Sequence, residues 1–414
     1  MNEAKQKFRL TSLERAWILY DVGNSAFVLL VATLIPIFFN ALAEGGGLSS
    51  VEYLAYWGYA ASAVTVITAV LSPILGTLAD TRNFKKPIFT FCVAVGVIGC
   101  CAMGMASTWL PFLLIFIFAK VGFSGSLVFY DSMLSDVTVP DRMDEVSSKG
   151  YAWGYIGSCV PFVVCLALVL GAGSIGISQM TALNLALFIT AAWWLVTTLP
   201  LLRQYKQVHF VEVQEHAIRQ SFARIGHTLR HLKEDRQVFW FLLAFFCYID
   251  GVYTIIDMAT AYGTALGLDT TGLLLALLVT QIVAFRSALV FGRLSGQYPS
   301  GTLIPVCIAA YAGIALFAFF LKHQWQFWVL AVVVGMFQGG IQALSRSHFA
   351  KIIPPEKSGE YFGLFDICGK GASFLGTMIV SVGSQLTGSA NVGVGSLIVL
   401  FIVGFVLFRV SDQK

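Results

Sequence analysis

Charge is scarce in this sequence. Asp, Glu, Lys and Arg together make up 12% of the 414 residues, against about 25% in an ordinary soluble domain. Hydrophobic residues reach 57% and the mean hydropathy is +0.79. A water-soluble core of this size could not bury so much apolar surface, so part of the solvent must be lipid. Metal and redox motifs are missing too. None of the eight cysteines forms a CxxC pair, and all lie inside apolar stretches, which argues against a disulfide framework or a zinc site. Nucleophile elbows, HExxH and Gly-rich phosphate loops do not occur, so an enzyme is not expected. No cofactor is implied.

What is abundant is the long apolar run. A spanning helix needs roughly 20 such residues. The runs fall at 15–40, 53–79, 86–107, 110–136, 147–171, 179–202, 237–261, 272–294, 301–321, 326–350, 358–384 and 392–410. They are too long for membrane strands of about 9–11 residues. The expected fold is all-α and integral to the membrane, because lipid offers no partner to free backbone groups. Lys5, Lys7 and Arg9 ahead of the first run mimic a signal peptide. That run, Ala16 to Phe39, exceeds an h-region of roughly 7–15 residues and carries Asp21 and Asn24, so it reads as a retained span.

Of the 26 Lys and Arg, 22 fall on the side that twelve spans assign to both termini. Positive charge collects on the cytoplasmic side, which predicts a multi-pass protein of the cell's inner (plasma) membrane with cytoplasmic N- and C-termini. The 203–236 stretch holds seven Lys or Arg and four of the six His. It reads as a cytoplasmic linker on the lipid surface rather than a nucleic-acid site. It divides the chain into bundles at 1–202 and 237–414, six helices each.

The halves look like a repeat. Gly76-Thr77-Leu78-Ala79-Asp80 ends the second span and Gly292-Arg293-Leu294-Ser295-Gly296 ends the eighth. Phe123, Gly125 and Pro140 match Phe337, Gly339 and Pro354 at a constant offset. Six spans per half set equivalent helices parallel, which implies two pseudo-symmetric bundles with a cavity between them.

The loop Gly76-x-Leu78-x-Asp80-x-Arg82-x-x-Lys85-Lys86 resembles the signature of the major facilitator superfamily. More narrowly, Tyr20-Asp21-x-x-Asn24-Ser25-Ala26-Phe27, Gly339-Gly340-x-Gln342-Ala343-x-Ser345-Arg346-Ser347 and Gly363-Leu364-x-Asp366 resemble the autophagy-related vacuolar amino-acid effluxers and their bacterial relatives. The resemblance spreads over most of the chain. It implies a secondary transporter working by alternating access, with helices one, four, seven and ten lining the cavity. The chain departs from the family's pattern at Arg286, where a small residue or Pro is usual.

A charge inside a span costs roughly 2.5–3.5 kcal/mol on insertion scales. Asp21, Lys120, Asp131, Asp250, Asp257, Arg286, Asp366 and Lys370 are therefore candidates. Asp250, Tyr253 and Asp257 share a stripe, as do Gln338, Gln342 and Arg346, Lys120, Ser124 and Asp131, and Asp21 with Asn24 and Ser25. Asp250, and after it Asp21, are the expected proton-coupling carboxylates. Lys120 and Arg286 suit a carboxylate-bearing solute such as an amino acid or short peptide, or else neutralise a nearby Asp. Asp366 and Lys370 form an i, i+4 pair. Gly76, Asp80, Arg82, Asp131, Arg346 and Asp366 are the expected gate. Asp80, at the unfavourable end of its own helix, should find Arg82 or, by the resemblance, the start of the eleventh span. Gly150-x-x-x-Gly154 reads as close helix packing. Trp193 and Trp194 read as an interfacial belt. Expected partners are a small-molecule solute, protons and the bilayer, with the protein a monomer. The competing reading is an exporter or flippase-like carrier of an amphiphilic drug or lipid-like molecule.

Overall fold

The computed structural model describes residues 8–212, 230, 232, 234–265 and 267–412. Linker residues 213–229 lie outside them, and so does the Lys370 side chain, with the Asp366–Lys370 pairing expected of it. The described chain is helical, with one isolated bridge between Thr81 and Val211. Among the described residues, eleven helical stretches are long and apolar enough to cross a membrane. A further helix of 30 residues, Ser358–Thr387, accounts for the eleventh span.

The N-terminal half comprises α1 (Ser12–Ala32), α2 (Leu34–Gly45), α3 (Ser50–Ala79), α4 (Lys85–Met103), α5 (Trp109–Ser132), the single turn α6 (Leu134–Val137), α7 (Pro140–Leu170) and α8 (Gln179–Gln204). The C-terminal half comprises α9 (Arg236–Ala265), α10 (Thr270–Leu294), α11 (Ser300–Ala318), α12 (Gln324–Ile352), α13 (Ser358–Thr387), α14 (Ala390–Gly395) and α15 (Ile398–Asp412). Each half holds six spans, and the architecture is the two-bundle one. Below, "linker face" denotes the end carrying the α3–α4 loop, the start of the linker and the α12–α13 turn.

Two of the boundaries that differ from the hydropathy reading have clear local reasons. The first span is two helices broken at Thr33. Pro36 lacks an N–H, and its ring would clash with the carbonyl of residue 32. The fifth helix starts at Pro140 rather than 147. Proline is suited to the first helical position, and the polar residues after it read as loop only because they face other helices instead of lipid. Capping boxes, Thr11 with Glu14 and Ser49 with Glu52, start α1 and α3.

The halves meet as the sequence repeat implies. A Cβ on Gly76 of α3 would run into the Gly359 carbonyl of α13, and a Cβ on Gly292 of α10 would press on Ser148 of α7. The two repeat glycines thus serve two pseudo-equivalent close approaches, α3 on α13 and α10 on α7. Trp194 is no interfacial belt. It is fully buried, 5.5 Å from the Phe27 ring.

Candidate functional site

Arg346 is the centre of the polar structure. It projects from α12, is 2% exposed and reaches into the other half. Its Nη1 donates to Asp131 Oδ1 of α5 at 2.9 Å, and its Nη2 lies 3.5 Å from Asp21 Oδ2 of α1. Nε donates to Ser147 Oγ of α7 at 2.9 Å and Nη2 to the Ser147 carbonyl at 3.0 Å. The guanidinium lies 4.7 Å from the Trp17 ring and 4.3 Å from that of Tyr151, where cation–π attraction adds to the pairing. Tyr130 donates to Asp21 Oδ2 at 3.1 Å, and Asn24 is buried one turn along. Gly150 makes room for the pair, since a Cβ there would stand 2.9 Å from Asp21 Oδ2 and 3.1 Å from Arg346 Nη2. One guanidinium therefore ties α12 to α1, α5 and α7.

Further bonds cross the halves. Lys351 Nζ meets Asp144 Oδ2 at 2.5 Å, and Ser347 donates to Asp144 Oδ1 at 2.6 Å. Ser72 of α3 donates to Asp366 of α13 at 2.8 Å. Tyr155 donates to Gln342 Oε1 at 2.7 Å. Among the described residues, the cross-half hydrogen bonds and ion pairs lie between mid-bundle and the linker face.

At the linker face, Asp80 accepts from the N–H groups of Gly359 at 2.7 Å and Glu360 at 2.8 Å. An anion at these free N–H groups of α13 is favoured by the helix dipole. Lys85, fully buried, lies 3.6 Å from Asp80 and 3.8 Å from Asp136, and donates to Ser358 Oγ at 2.8 Å. Burial pushes the Asp80 carboxyl up to about 6, with Lys85 and the two amides pulling the other way. Arg82 turns from Asp80 to Glu212, 3.7 Å away, and stacks on Phe210. The linker's first residues are bound here as well. Tyr205 donates to Asp136 Oδ2 at 2.5 Å, and the His209 amide to Asp136 Oδ1 at 2.8 Å. In the repeat copy Gly296 replaces the capping Asp, and the second interface is instead held by Asp144 and Lys351.

The remaining candidates divide. Lys120 of α5 and Asp257 of α9 interact electrostatically across the halves, and Lys120 Nζ sits 4.8 Å from the Phe123 ring. Tyr253 is within electrostatic range of Asp131, Asp257, Asp366 and Arg346. These side chains of the two halves form one electrostatically coupled group.

Asp250 and Arg286 do not join it. Asp250 is fully buried between α9 and α13. Its Oδ1 accepts from the Gly376 N–H at 2.9 Å and Thr254 Oγ1 at 3.4 Å, while Oδ2 has no partner among the described residues. It shares a stripe with Asp257, seven residues and nearly two turns away, but at its level of α9 that stripe packs against Gly376 of α13. Arg286 is exposed, on a stripe with exposed Ile282 and Val290. The neighbouring α10 residues Ala284 and Ala288 touch α12, and Phe285 meets Trp153 of α7. Arg286 thus stands on the lipid side, where a long side chain carries its charge toward the interface.

Sequence reasoning missed Asp144, Ser147, Lys351 and Ser72. The one available signal was Pro140, which marks a helix start that puts Asp144 and Ser147 on a packed surface.

The fold and these charges define a transporter of the major facilitator superfamily. The chain belongs to the family described as "vacuole effluxer Atg22 like", which matches residues 12–141 and 135–414. The MFS-type transporter YxiO of Bacillus subtilis (strain 168) is 42% identical over 411 residues, covering 98% of this chain and 96% of that protein. Autophagy-related protein 22 of Saccharomyces cerevisiae (strain ATCC 204508 / S288c) is 25% identical over 315 residues, 66% of this chain and 59% of that protein. This chain thus spans little more than half of that fungal relative. Among solved structures, FucP in the outward conformation aligns with a TM-score of 0.74 at 16% identity, over 97% of this chain and 98% of that one. The human organic anion transporter MFSD10 aligns with a TM-score of 0.72 at 13% identity, over 96% and 98%. At these identities the likeness is one of fold.

Proposed function

We propose that this protein is a monomeric secondary active carrier of the plasma membrane, with its linker face and termini cytoplasmic. It moves a small carboxylate-bearing solute, of the amino-acid or short-peptide kind, by alternating access. The observation that carries the reading is Arg346, a sealed guanidinium of one half held by carboxylates of the other. A buried ion pair is a poor stabiliser when compared with an apolar contact. It does make a contact that either holds completely or lets both charges go to water. Gly76, Asp80, Asp131, Arg346 and Asp366 form the gate in its closed state. When the halves rock, α13 leaves Asp80 and α12 leaves Asp21 and Asp131, which opens the linker face.

Lys120, facing Asp257 across the chamber, takes the carboxylate of the solute. Lys120→Met is expected to weaken binding of a carboxylate ligand at least about tenfold, the worth of one charged hydrogen bond, as read by calorimetry on protein in lipid nanodiscs. Unchanged affinity removes Lys120 from the site.

Protons act through Asp131 and Asp21. A proton on either loosens its hold on Arg346 and lowers the cost of separating the halves. Asp131→Asn is expected to cut pH-driven uptake into proteoliposomes at least about tenfold, whereas Asp250→Asn, outside the chamber, leaves it within about twofold. The reverse ranking would return the coupling role to Asp250.

One feature favours the second reading, a carrier of amphiphiles. A cavity of about 260 Å3 between α3, α4 and α5 has Phe91, Phe118, Ile67 and Leu71 in its wall, all exposed on spanning helices. Flux of a fluorescent amphiphile that amino acids do not compete with would establish that reading instead.

A further inference from the structure

Two glutamines of the C-terminal half share a cavity that the Arg346 lattice does not use. The cavity, about 60 Å3, lies between α9, α10 and α12, with Ile256, Leu277 and Val334 among its apolar walls. Gln281 and Gln338 also line it, and the side-chain oxygen of each is buried with no hydrogen-bond partner among the described residues. Gln338 is only 5% exposed. Leaving such an oxygen unpaired costs about 1–3 kcal/mol, and leucine would fill either position without that cost. The third polar wall residue, Thr280, is satisfied by the carbonyls of Ala276 and Ala331.

The geometry around Gln338 orients its amide. Tyr155 spends its own proton on Gln342 Oε1 at 2.7 Å and also meets the Gln338 side chain. The Gln338 amide nitrogen is therefore the donor to Tyr155, and its oxygen is left to the cavity. Tyr155 belongs to α7 of the other half, so through Gln338 the cavity reaches the surface on which the two halves face each other.

We propose that this cavity is the head-group subsite of the transported solute, and that it takes an ammonium or similar group with at least two N–H donors, carried on a small aliphatic body. Two buried acceptors lining one cavity without a donor call for N–H groups. Walls of Ile, Leu and Val call for hydrocarbon beside them. The volume suits a head group rather than a whole solute. The inference rests on the carrier reading above and extends it, since Lys120 addresses the carboxylate and the two glutamines address the amino group. Because Gln338 also holds Tyr155 of the other half, an occupant braces a cross-half contact.

The test is calorimetric titration of the full chain in lipid nanodiscs with L-leucine, 3-methylbutylamine and N,N,N-trimethyl-L-leucine. Wild-type protein binds the first two and binds the trimethylated compound, which keeps the charge but has no N–H, at least about tenfold more weakly (about 1.4 kcal/mol). Gln281→Leu and Gln338→Leu each weaken L-leucine by a similar factor. Their unliganded melting temperatures stay at or above wild type, since an unpaired oxygen has gone. Gln338→Glu, which keeps the acceptor, retains amine binding and guards against a folding artefact. No binding of either amine to wild type, equal binding of the trimethylated compound, or leucine variants with unchanged affinity would overturn the subsite. Unchanged affinity would mean that the oxygens are served by water alone. L-Leucine binding no tighter than 3-methylbutylamine, with both weakened in the variants, would remove the carboxylate part of the carrier reading and leave the subsite standing.

Discussion

Arg346→Met protein is expected to lose solute flux in proteoliposomes by about a hundredfold or more, and to expose its linker face to water-soluble thiol reagents. Removing one partner of a buried pair costs about 3–5 kcal/mol because the other charge is left unpaired. Here two carboxylates, Asp21 and Asp131, lose their shared cation. The cost falls on the closed arrangement, since opening the linker face returns both to water. Arg346→Lys is expected to recover part of the closure and little of the flux. A lysine can meet one carboxylate but cannot supply the fork that reaches Ser147 and Asp131 together. Normal flux in Arg346→Met protein would mean that the lattice is only packing.

The second large effect is expected at Asp80. Asp80→Ala removes two charge-assisted bonds to the start of α13, worth about 1.5–3 kcal/mol each. The linker face should then stand open in most molecules, and cysteines placed at Asn83 or Glu356 should react faster by about tenfold or more. Labelling rates equal to wild type would exclude the latch.

The same carboxyl gives a pH dependence of definite sign. Burial holds Asp80 at about 6 in the closed state, whereas a solvated Asp titrates near 3.9. Between these values the closed state binds the proton more readily. Closure is therefore favoured as pH falls through about 6 and loses that contribution as pH rises through it. Protons on Asp21 and Asp131 act in the opposite sense, so the latch is read in protein carrying Asp21→Asn and Asp131→Asn: there labelling at pH 5 should be slower than at pH 7.5, and adding Asp80→Ala should abolish the difference.

Much of this was legible in the sequence because membrane burial leaves few ways to place a charge. The lopsided Lys and Arg distribution and the Gly76/Gly292 repeat give the span count and the two halves directly. Helical stripes group Asp21, Asp131, Arg346 and Tyr253 as residues that must avoid lipid. A stripe says which residues share a face, however, and not what that face meets. Asp250 has the spacing of a chamber residue and packs on α13 instead. Arg286 is flanked at i−4 and i+4 by Ile282 and Val290, an apolar setting that already marks a lipid-facing arginine. Asp144 and Ser147 stayed hidden because a polar helix start inside a protein interface reads as loop in a hydropathy profile. Gln281, uncharged and in mid-span, carries no signal until its oxygen is found without a donor.

The central claim is that the linker face is closed by exchangeable cross-half charges and that its opening is coupled to closing of the opposite face. The most direct test is a pair of spin-label distance measurements, in protein whose eight native cysteines have been replaced. One pair, at Asn83 and Glu356, spans the linker face; the other, at Glu44 and Thr387, spans the opposite face. Going from wild type to Arg346→Met, the account predicts that the linker-face distance lengthens while the opposite one shortens. Distances that stay unchanged, or that lengthen together, would contradict it.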